Sequence, residues 1–299
     1  MNLVCKVVVS VEFEVKWARD FYGKRLKSLE ELFGVKKPII GMVHLPPLPG
    51  APAYQGESID EIIDFALKDA MALVENGVDG LIVENMWDLP YYVGKAVPPE
   101  EMTAQAVAAR EVVKNVNVPV GINVVHNGGR VTLAIAKAAG AKFIRVCLLT
   151  GAMVWDTGEF DHGCAAELLR IRKALYAEDI KIFADVTKKH AVMFPGINAR
   201  IHAEWTDFYM ADALIVSGKM TGFPPTVEHI KEVKEAAPER PLLIGSGCNL
   251  ENVREFLKYA DGAIVGTYFK KGGIAQNPVD PGRVKKFMSV VKEIRKSIK

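Results

Sequence analysis

The sequence has few cysteines and no long apolar run, and both shortages narrow what the protein can be. Its 299 residues include four cysteines, none in a CxxC pair: Cys5, Cys147, Cys164 and Cys248. This excludes a disulfide-stapled scaffold and a zinc knuckle, and it is typical of a reducing compartment. No apolar run approaches the roughly 20 residues that cross a bilayer, and the first residues lack the pattern of a cleavable signal. We therefore expect a cytoplasmic protein without an integral membrane segment.

The chain also lacks an excess of charge of either sign. Its 38 Lys and Arg residues against 36 Asp and Glu residues give a formal net charge of +2, and no long basic run occurs. This balance argues against a nucleic-acid-binding protein. The lysines of residues 285–299 are interleaved with apolar residues at helical spacing, which favours a solvated helix face over a membrane-binding patch.

What the sequence does contain is a repeated alternation of short apolar runs and helical patterns. Eight runs recur at intervals that each leave room for one helix: 38–44, 80–84, 118–124, 143–146, 181–185, 213–216, 242–244 and 263–265. Alternating strands and helices predict a parallel sheet, and near-continuous apolar strands predict burial on both faces. A barrel of eight such units takes about 250 residues. We therefore predict one α/β domain, a (β/α)8 TIM barrel, over residues 37–299.

The first 36 residues fall outside this alternation and are predicted to form a short N-terminal extension. Residues 4–17 have a strand-like pattern, and residues 21–32 have a helical one. We expect the extension to cover the bottom of the barrel or to contact a neighbouring subunit of a homo-oligomer.

Glycine-rich turns follow the last two apolar runs, where barrels of this kind often bind phosphate. Gly245-Ser246-Gly247-Cys248-Asn249 is predicted to lead directly into a helix capped by Asn249, and Gly266-Thr267 follows the eighth run. Glycine lets backbone amides approach an anion closely, and a helix N-terminus adds a favourable dipole. We predict that five residues bind a phosphate group: Gly245, Ser246, Gly247, Gly266 and Thr267. The alternative is that these glycines only form tight turns.

The loop after the sixth run, residues 217–222, has the sequence SGKMTG and contains a candidate lysine. It is not a P-loop, because the GxxxxGK[ST] spacing is absent. We predict that Ser217 binds substrate and that Lys219 is a catalytic residue or a charged clamp over the ligand. A Schiff-base lysine and a plain surface lysine are the alternatives for Lys219.

Polar side chains stand at the carboxyl ends of the first five predicted strands: His44, Glu84, Asn85, Asn123, His126, Arg145 and Asp185. Catalytic groups of barrels come from several such strand ends at once. We predict that Glu84 and Asp185 form an acid/base pair and that His44 is also catalytic. Asn123 and Arg145 are predicted to bind substrate, and Arg145 to neutralise its charge. The alternative is a set of structural polar groups, each satisfied near the barrel mouth.

The fifth run continues into Lys188, Lys189 and His190, a basic segment that suits an anionic substrate. We predict that Lys188 and His190 contact that substrate; an exposed loop is the alternative. Four residues are of metal-ligand types: His44, Glu84, Asp185 and His190. The His-x-His motif of metal-dependent amidohydrolase barrels is missing, since Leu45 and Pro46 follow His44. We therefore assign no metal or cofactor, and a divalent cation remains the alternative.

Aromatic residues cluster in the predicted loop of residues 86–92, and Trp155 lies in the loop after the fourth run. Aromatic faces at a barrel mouth stack on a base or a sugar ring. Packing of the loops against one another is the alternative.

Four segments together resemble a known family: 38–50 (PIIGMVHLPPLPG), 80–85 (GLIVEN), 185–190 (DVTKKH) and 217–222 (SGKMTG). They resemble the BtpA family, which includes SgcQ-like proteins, and the likeness extends over roughly residues 30–297. The resemblance implies a barrel of the ribulose-phosphate-binding type. It also implies either a sugar-phosphate or nucleosidase activity, or the part in photosystem I biogenesis from which the family takes its name.

Two classes of function follow. The first is an enzyme of isomerase, lyase or nucleosidase type that acts on a small phosphorylated metabolite, either a sugar phosphate or a nucleotide-like molecule. The second is a non-catalytic assembly factor that uses the barrel as a scaffold. The enzyme requires its carboxylates beside an open pocket near the phosphate loops. The scaffold requires an exposed apolar patch, with the strand-end cluster facing away from any cavity.

Overall fold

The computed structural model of the chain describes residues 24–298, apart from the side chain of Lys95. In chain order its strands are β1 (Ile39–His44), β2 (Gly80–Glu84), β3 (Val120–Asn123), β4 (Phe143–Val146), β5 (Ala152–Trp155), β6 (Phe160–His162), β7 (Lys181–Val186), β8 (Ala191–Met193), β9 (Ala213–Val216), β10 (Leu242–Ile244) and β11 (Gly262–Val265). Eight of them form a closed barrel in the order β1-β2-β3-β4-β7-β9-β10-β11, and every neighbouring pair is parallel. The predicted (β/α)8 barrel is confirmed.

The helices of this part are α1 (Glu30–Phe33), α2 (Ile59–Val74), α3 (Pro99–Asn115), α4 (Gly129–Ala139), α5 (Ala165–Ala174), α6 (Ala199–Phe208), α7 (Val227–Ala236), α8 (Val253–Tyr259) and α9 (Pro281–Ser297). Sequence signals explain several of their ends. Ser58 begins α2 with a capping box, in which its Oγ accepts from the Glu61 amide at 3.2 Å and the Glu61 carboxylate accepts from the Ser58 amide at 2.7 Å. Gly140 ends α4 in the left-handed conformation, which glycine adopts without strain.

The helix after the seventh barrel strand begins later than predicted. Asn249 does not cap it, and α8 starts at Val253. The Asn249 side chain accepts from the amides of Glu251 and Asn252 at 2.8 and 3.3 Å, and the Asn252 side chain donates to the Gly247 carbonyl at 2.9 Å. These bonds stabilise a turn where the first helical turn was predicted, so no helix dipole begins directly at this loop.

Residues 24–298 form three clusters of buried apolar side chains. One lies between the barrel and its surrounding helices, a second fills the barrel itself, and a small third one includes the buried side chains of β5. The inner core is closed at its lower end by Leu26, Leu29 and Phe33, and the Phe33 ring packs 5.6 Å from that of Phe143. Residues 24–36 therefore cover the bottom of the barrel, which is one of the two positions expected for the extension.

The rest of the extension agrees less well with the predictions. In the described part of residues 21–32, α1 forms the only helical turn, because the chain before it runs across the barrel bottom instead of coiling. The predicted strand at residues 4–17 lies outside the described residues. The boundary between residues 36 and 37 stays a prediction.

A second sheet that the sequence analysis did not predict lies over the barrel mouth. It is antiparallel, with β5 between β6 and β8, and it joins the loops after β4 and β7. Met153 and Trp155 on β5 point into the molecule and are buried, whereas Val154 between them is exposed. The sheet shapes one wall of the site below. Within residues 24–298, no helix is both long enough and apolar enough to cross a membrane.

Candidate functional site

Two adjoining cavities lie at the carboxyl ends of the barrel strands. The larger has a volume of about 660 Å³ and an aromatic wall: Trp87, Tyr91, His126 and Trp155. The smaller, of about 30 Å³, is enclosed by the loops after β9, β10 and β11. Five residues line both cavities: Glu84, Met86, Lys189, Thr221 and Thr267. The two cavities therefore form one continuous candidate site.

The residues predicted to bind phosphate all line the smaller cavity: Gly245, Ser246, Gly247, Gly266 and Thr267. Gly247 has φ +65°, and a Cβ there would lie 2.2 Å from the Pro224 nitrogen, so only glycine fits. The Ser246 hydroxyl donates to the Phe223 carbonyl at 2.8 Å and accepts from the Gly218 amide at 3.0 Å, which ties the loops after β9 and β10 together. The amides of Ser246 and Gly247 donate to no acceptor among residues 24–298. The backbone of this loop is thus available to an anion, while the Ser246 hydroxyl is not.

Asp185 lies beneath the cavities and lines neither of them. Its fully buried carboxylate accepts two hydrogen bonds from Arg145, each of 2.9 Å, and one from Lys188 at 3.1 Å. Ser217 donates to the same carboxylate at 3.4 Å. Burial alone raises the pKa of Asp185, but the charges of Arg145 and Lys188 outweigh it and lower the pKa to about 2. A carboxylate held this way positions two cations, and it does not exchange protons near neutral pH.

Glu84, the other member of the predicted acid/base pair, does line both cavities. The Asn123 side-chain amide donates to its Oε2, and the Nε2 of His44 lies 3.9 Å from its Oε1. Burial acts to raise the pKa of Glu84, but the nearby charge of Arg145 leads the opposing effects, and the pKa lies below its usual value. Glu84 is therefore an ionised carboxylate. Unlike Asp185, it borders open space and forms no ion pair with a lysine or arginine among residues 24–298, which leaves it able to accept a proton from a bound molecule.

His44 lines the smaller cavity beside Glu84. Burial, followed by the charge of Lys270, lowers the pKa of His44 to about 3. Its ring is therefore neutral at physiological pH and offers a hydrogen bond rather than a charge. Asn123 reaches neither cavity and acts on the site only by holding Glu84.

The lysines after β7 take different positions. Lys188 is buried and bonded to Asp185, although it also touches the larger cavity. Lys189 is half-buried and lines both cavities. Lys189 was predicted only as part of the basic segment and not as a site residue, because two adjacent lysines in a loop carry no signal of which one turns inward.

His190 connects two loops at the barrel mouth through hydrogen bonds. One ring nitrogen lies 2.9 Å from the Asp156 carboxylate, and the other accepts from the Thr221 amide at 3.2 Å. Lys219 contacts His190 through its backbone: its carbonyl oxygen accepts a hydrogen bond from the His190 amide at 3.2 Å. Its side chain is exposed and lines neither cavity. The structure therefore does not bring Lys219 to the site where a catalytic or clamping role was predicted.

His126 is a further pocket residue to which the sequence analysis gave no role. It is buried and stacks on Trp155 with ring centroids 3.8 Å apart and an interplanar angle of 1°. Burial and the charge of Lys188 lower the pKa of His126 to about 4, so the ring is neutral. Its Nδ1 is buried without a hydrogen-bond partner among the residues described. The stack depends on the position of β5 over the barrel mouth, which local sequence patterns do not indicate.

The metal-ligand types named from the sequence do not assemble. Among residues 24–298, no three side chains of His, Cys, Asp or Glu lie close enough together to hold a metal ion. His44 and Glu84 are neighbours, whereas the Asp185 carboxylate is occupied by Arg145 and Lys188 and His190 faces Asp156.

The sequence profile of the BtpA family matches residues 35–293. Among individual relatives, the uncharacterized protein TK2179 of Thermococcus kodakarensis is 42% identical over 262 residues, which cover 88% of this chain and 98% of that protein. The photosystem I biogenesis protein BtpA of Synechocystis is 39% identical over 272 residues, which cover 90% of this chain and 93% of that protein. The profile match spans all eight barrel strands and both glycine loops.

Solved structures resemble this chain in fold. The N-(5'-phosphoribosyl)anthranilate isomerase of Pyrococcus furiosus superposes with a TM-score of 0.51 at 16% identity, covering 86% of this chain and 99% of that one. The tryptophan synthase structure from Mycobacterium tuberculosis gives a TM-score of 0.53 at 15% identity, covering 87% and 92%. At such low identity the likeness concerns the barrel alone.

Proposed function

The chain belongs to the BtpA family, and we propose that it is an enzyme acting on a small phosphorylated metabolite. The phosphate group would occupy the smaller cavity, and the rest of the metabolite would extend into the larger one. One observation carries the proposal: the glycine loops and three of the polar strand-end residues, predicted separately from the sequence, line the same small cavity. These three are His44, Glu84 and Arg145. An anion site beside an ionised carboxylate in an enclosed pocket is the arrangement that acid/base chemistry on a bound substrate needs.

The charges around the cavities support an anionic ligand. Arg145, Lys188 and Lys189 lie near two buried carboxylates, those of Glu84 and Asp185. A third carboxylate, that of Asp156, lines the larger cavity but is exposed and lies 2.9 Å from His190. Asp185 already balances much of the charge of Arg145 and Lys188 through direct bonds. The protonated form of Lys189, at the junction of the two cavities, is therefore a cation that a bound phosphate would neutralise.

In this proposal, some residues contact the substrate and others position those residues. Glu84 is the general base, because it is ionised, faces the cavity and is held in place by Asn123. His44 gives a neutral hydrogen bond beside it. Asp185 is a positioning residue for Arg145 and Lys188, which replaces the acid/base role predicted for it. Isomerisation, bond cleavage and nucleosidase chemistry all use such a base.

One observation favours the second candidate function, an assembly factor. The outer face of the antiparallel sheet exposes four apolar side chains: Val154, Phe160, Val192 and Phe194. Val154 pairs directly with Phe160 and with Val192 across the strands, so these side chains share one face. Such a patch is what a scaffold requires. Four of the seven strand-end residues line the cavities, however, which is what the enzyme requires and the scaffold does not: His44, Glu84, His126 and Arg145.

Thermal-shift measurements with Thr267→Glu and Thr267→Gln test the proposed function. The two variants have the same size and differ by one negative charge at the wall shared by the cavities. Inorganic phosphate and ribose 5-phosphate are expected to raise the Tm of the wild-type protein, and ribose is not. A ligand at 100 times its Kd stabilises a protein by about 2.7 kcal/mol.

The Glu variant should lose this shift, because a carboxylate repels the phosphate. The Gln variant, which adds the same bulk without the charge, should retain more of it. Equal shifts in both variants, or no shift with either phosphate compound in the wild-type protein, would contradict an anion site here.

A further inference from the structure

We propose that Lys189 is a covalent catalytic residue, whose amine forms an imine with the carbonyl group of a phosphorylated aldehyde or ketone. This deepens the proposed function and rests on it, because a phosphate in the smaller cavity is what presents the carbonyl group to Lys189. The substrate class becomes a phosphate ester that carries an aldehyde or ketone within reach of the cavity junction.

The position of Lys189 is the first argument. It belongs to the few residues that line both cavities, together with Glu84 and Thr267. A substrate with its phosphate in the smaller cavity and its remainder in the larger one must pass this junction. The reacting carbon would then lie beside Lys189 and beside the ionised carboxylate of Glu84.

The second argument is that the Lys189 amine is not engaged elsewhere. Asp185 is bonded to Arg145 at 2.9 Å and to Lys188 at 3.1 Å. Within residues 24–298, Lys189 makes neither an ion pair nor a side-chain hydrogen bond. In a partly enclosed site, a lysine without a carboxylate partner loses its proton more readily than an ion-paired lysine. The neutral amine then has a free lone pair that can attack a carbonyl carbon.

The electrostatic surroundings act in the same direction. Burial, then the positive charges of Arg145 and Lys188, lower the pKa of Lys189 to about 8, against the opposing effect of Glu84 and Asp185. A substantial fraction of the amine is therefore neutral near physiological pH, which is the form that attacks a carbonyl carbon.

The reaction balances with the groups at hand. Glu84 takes one proton from the Lys189 ammonium, and the amine nitrogen bonds to the carbonyl carbon. The carbonyl oxygen takes a second proton from that nitrogen and becomes a hydroxyl. This hydroxyl leaves as water with the proton that Glu84 returns. The products are a protonated imine and one water molecule, and neither an oxidant nor a reductant is consumed.

Reductive trapping of the full-length protein tests this directly. The protein is incubated with sodium borohydride and, in separate samples, dihydroxyacetone phosphate, glyceraldehyde 3-phosphate or ribulose 5-phosphate. Borohydride reduces an imine to a stable secondary amine, which intact-protein mass spectrometry detects and peptide mapping locates. We expect one adduct per chain with at least one probe, on the peptide that contains Lys189, and much less with unphosphorylated dihydroxyacetone.

Two variants and one control make the result decisive. Lys189→Met and Lys189→Arg should both reduce the adduct to the level seen without borohydride. The arginine variant keeps the positive charge and therefore serves as the test if the methionine variant does not fold. Lys219→Met changes an exposed lysine outside both cavities and should label like the wild-type protein.

An adduct that persists in folded Lys189→Arg, that maps to another lysine, or that forms with none of the three probes overturns the proposal. If the phosphate-dependent thermal shift persists in that case, the anion site stands and only the imine fails. If the shift is absent as well, the proposed function fails with it.

Discussion

The replacement of Asp185 by asparagine separates a positioning carboxylate from an acid/base catalyst. Asp185 is fully buried and bonded to Arg145 and Lys188, which are buried as well. Asparagine has the same shape, but it removes the negative charge and leaves two cations without their partner. Breaking a buried ion pair in this way costs roughly 3–5 kcal/mol.

The expected change in Tm follows from this free energy. For a chain of this size, 1 kcal/mol corresponds to roughly 2 °C, so the Tm of Asp185→Asn should lie about 6–10 °C below that of the wild-type protein. Differential scanning fluorimetry at neutral pH measures this. Asp156→Asn is the matched control, because Asp156 is exposed and pairs only with His190; its Tm should change little.

The pH dependence of the difference is the sharper test. The pKa of Asp185 is lowered from 3.8 to about 2, so its stabilising charge is fully present above pH 3.8 and is lost as pH falls through 2. This shift corresponds to about 2 kcal/mol. The Tm difference between the wild-type protein and Asp185→Asn should therefore stay constant from pH 8 to pH 5. A difference that shrinks between pH 7 and pH 5, or a variant as stable as the wild-type protein, would refute the positioning role.

Three further predictions concern the barrel bottom, a helix cap and the reactive amine. Phe33→Ala should lower the free energy of unfolding by about 3 kcal/mol or more in chemical denaturation, because it empties the space against Phe143, and Phe33→Leu should cost less. Ser58→Ala should cost about 1 kcal/mol in the same assay, while Ser58→Asp should be close to neutral. Borohydride trapping at Lys189 should increase as pH rises from 7 to 9, since the pKa of that amine is about 8; a flat profile would contradict a neutral attacking amine.

The barrel was predictable because its signals are local. Each strand is a short apolar run followed by a helical pattern, and such units close in few ways. The predicted run 143–146 coincides with β4, and 213–216 coincides with β9. The glycine loops and Glu84 were predictable for a related reason: in a parallel barrel the carboxyl ends of all strands meet on one face, so position along the chain already implies position in the site.

The contacts within the site were not predictable in the same way. Asp185 is by type a fitting acid or base, and only its bonds to Arg145, 40 residues away along the chain, make it a permanently ionised anchor. Lys219 has the residue context of a reactive lysine, yet its loop turns the side chain to solvent. Lys189 lies next to a lysine that pairs with Asp185, and no property of either residue reveals which one is left free.

The sequence by itself determined the fold, the face of the barrel that bears the site and the glycine loops, because hydrophobic periodicity and backbone freedom act over a few neighbouring residues. The tertiary structure alone decided which charges neutralise one another and which side chains reach both cavities. Those outcomes depend on distances between residues on different strands, and on the antiparallel sheet that covers the mouth, so no single segment of the sequence encodes them.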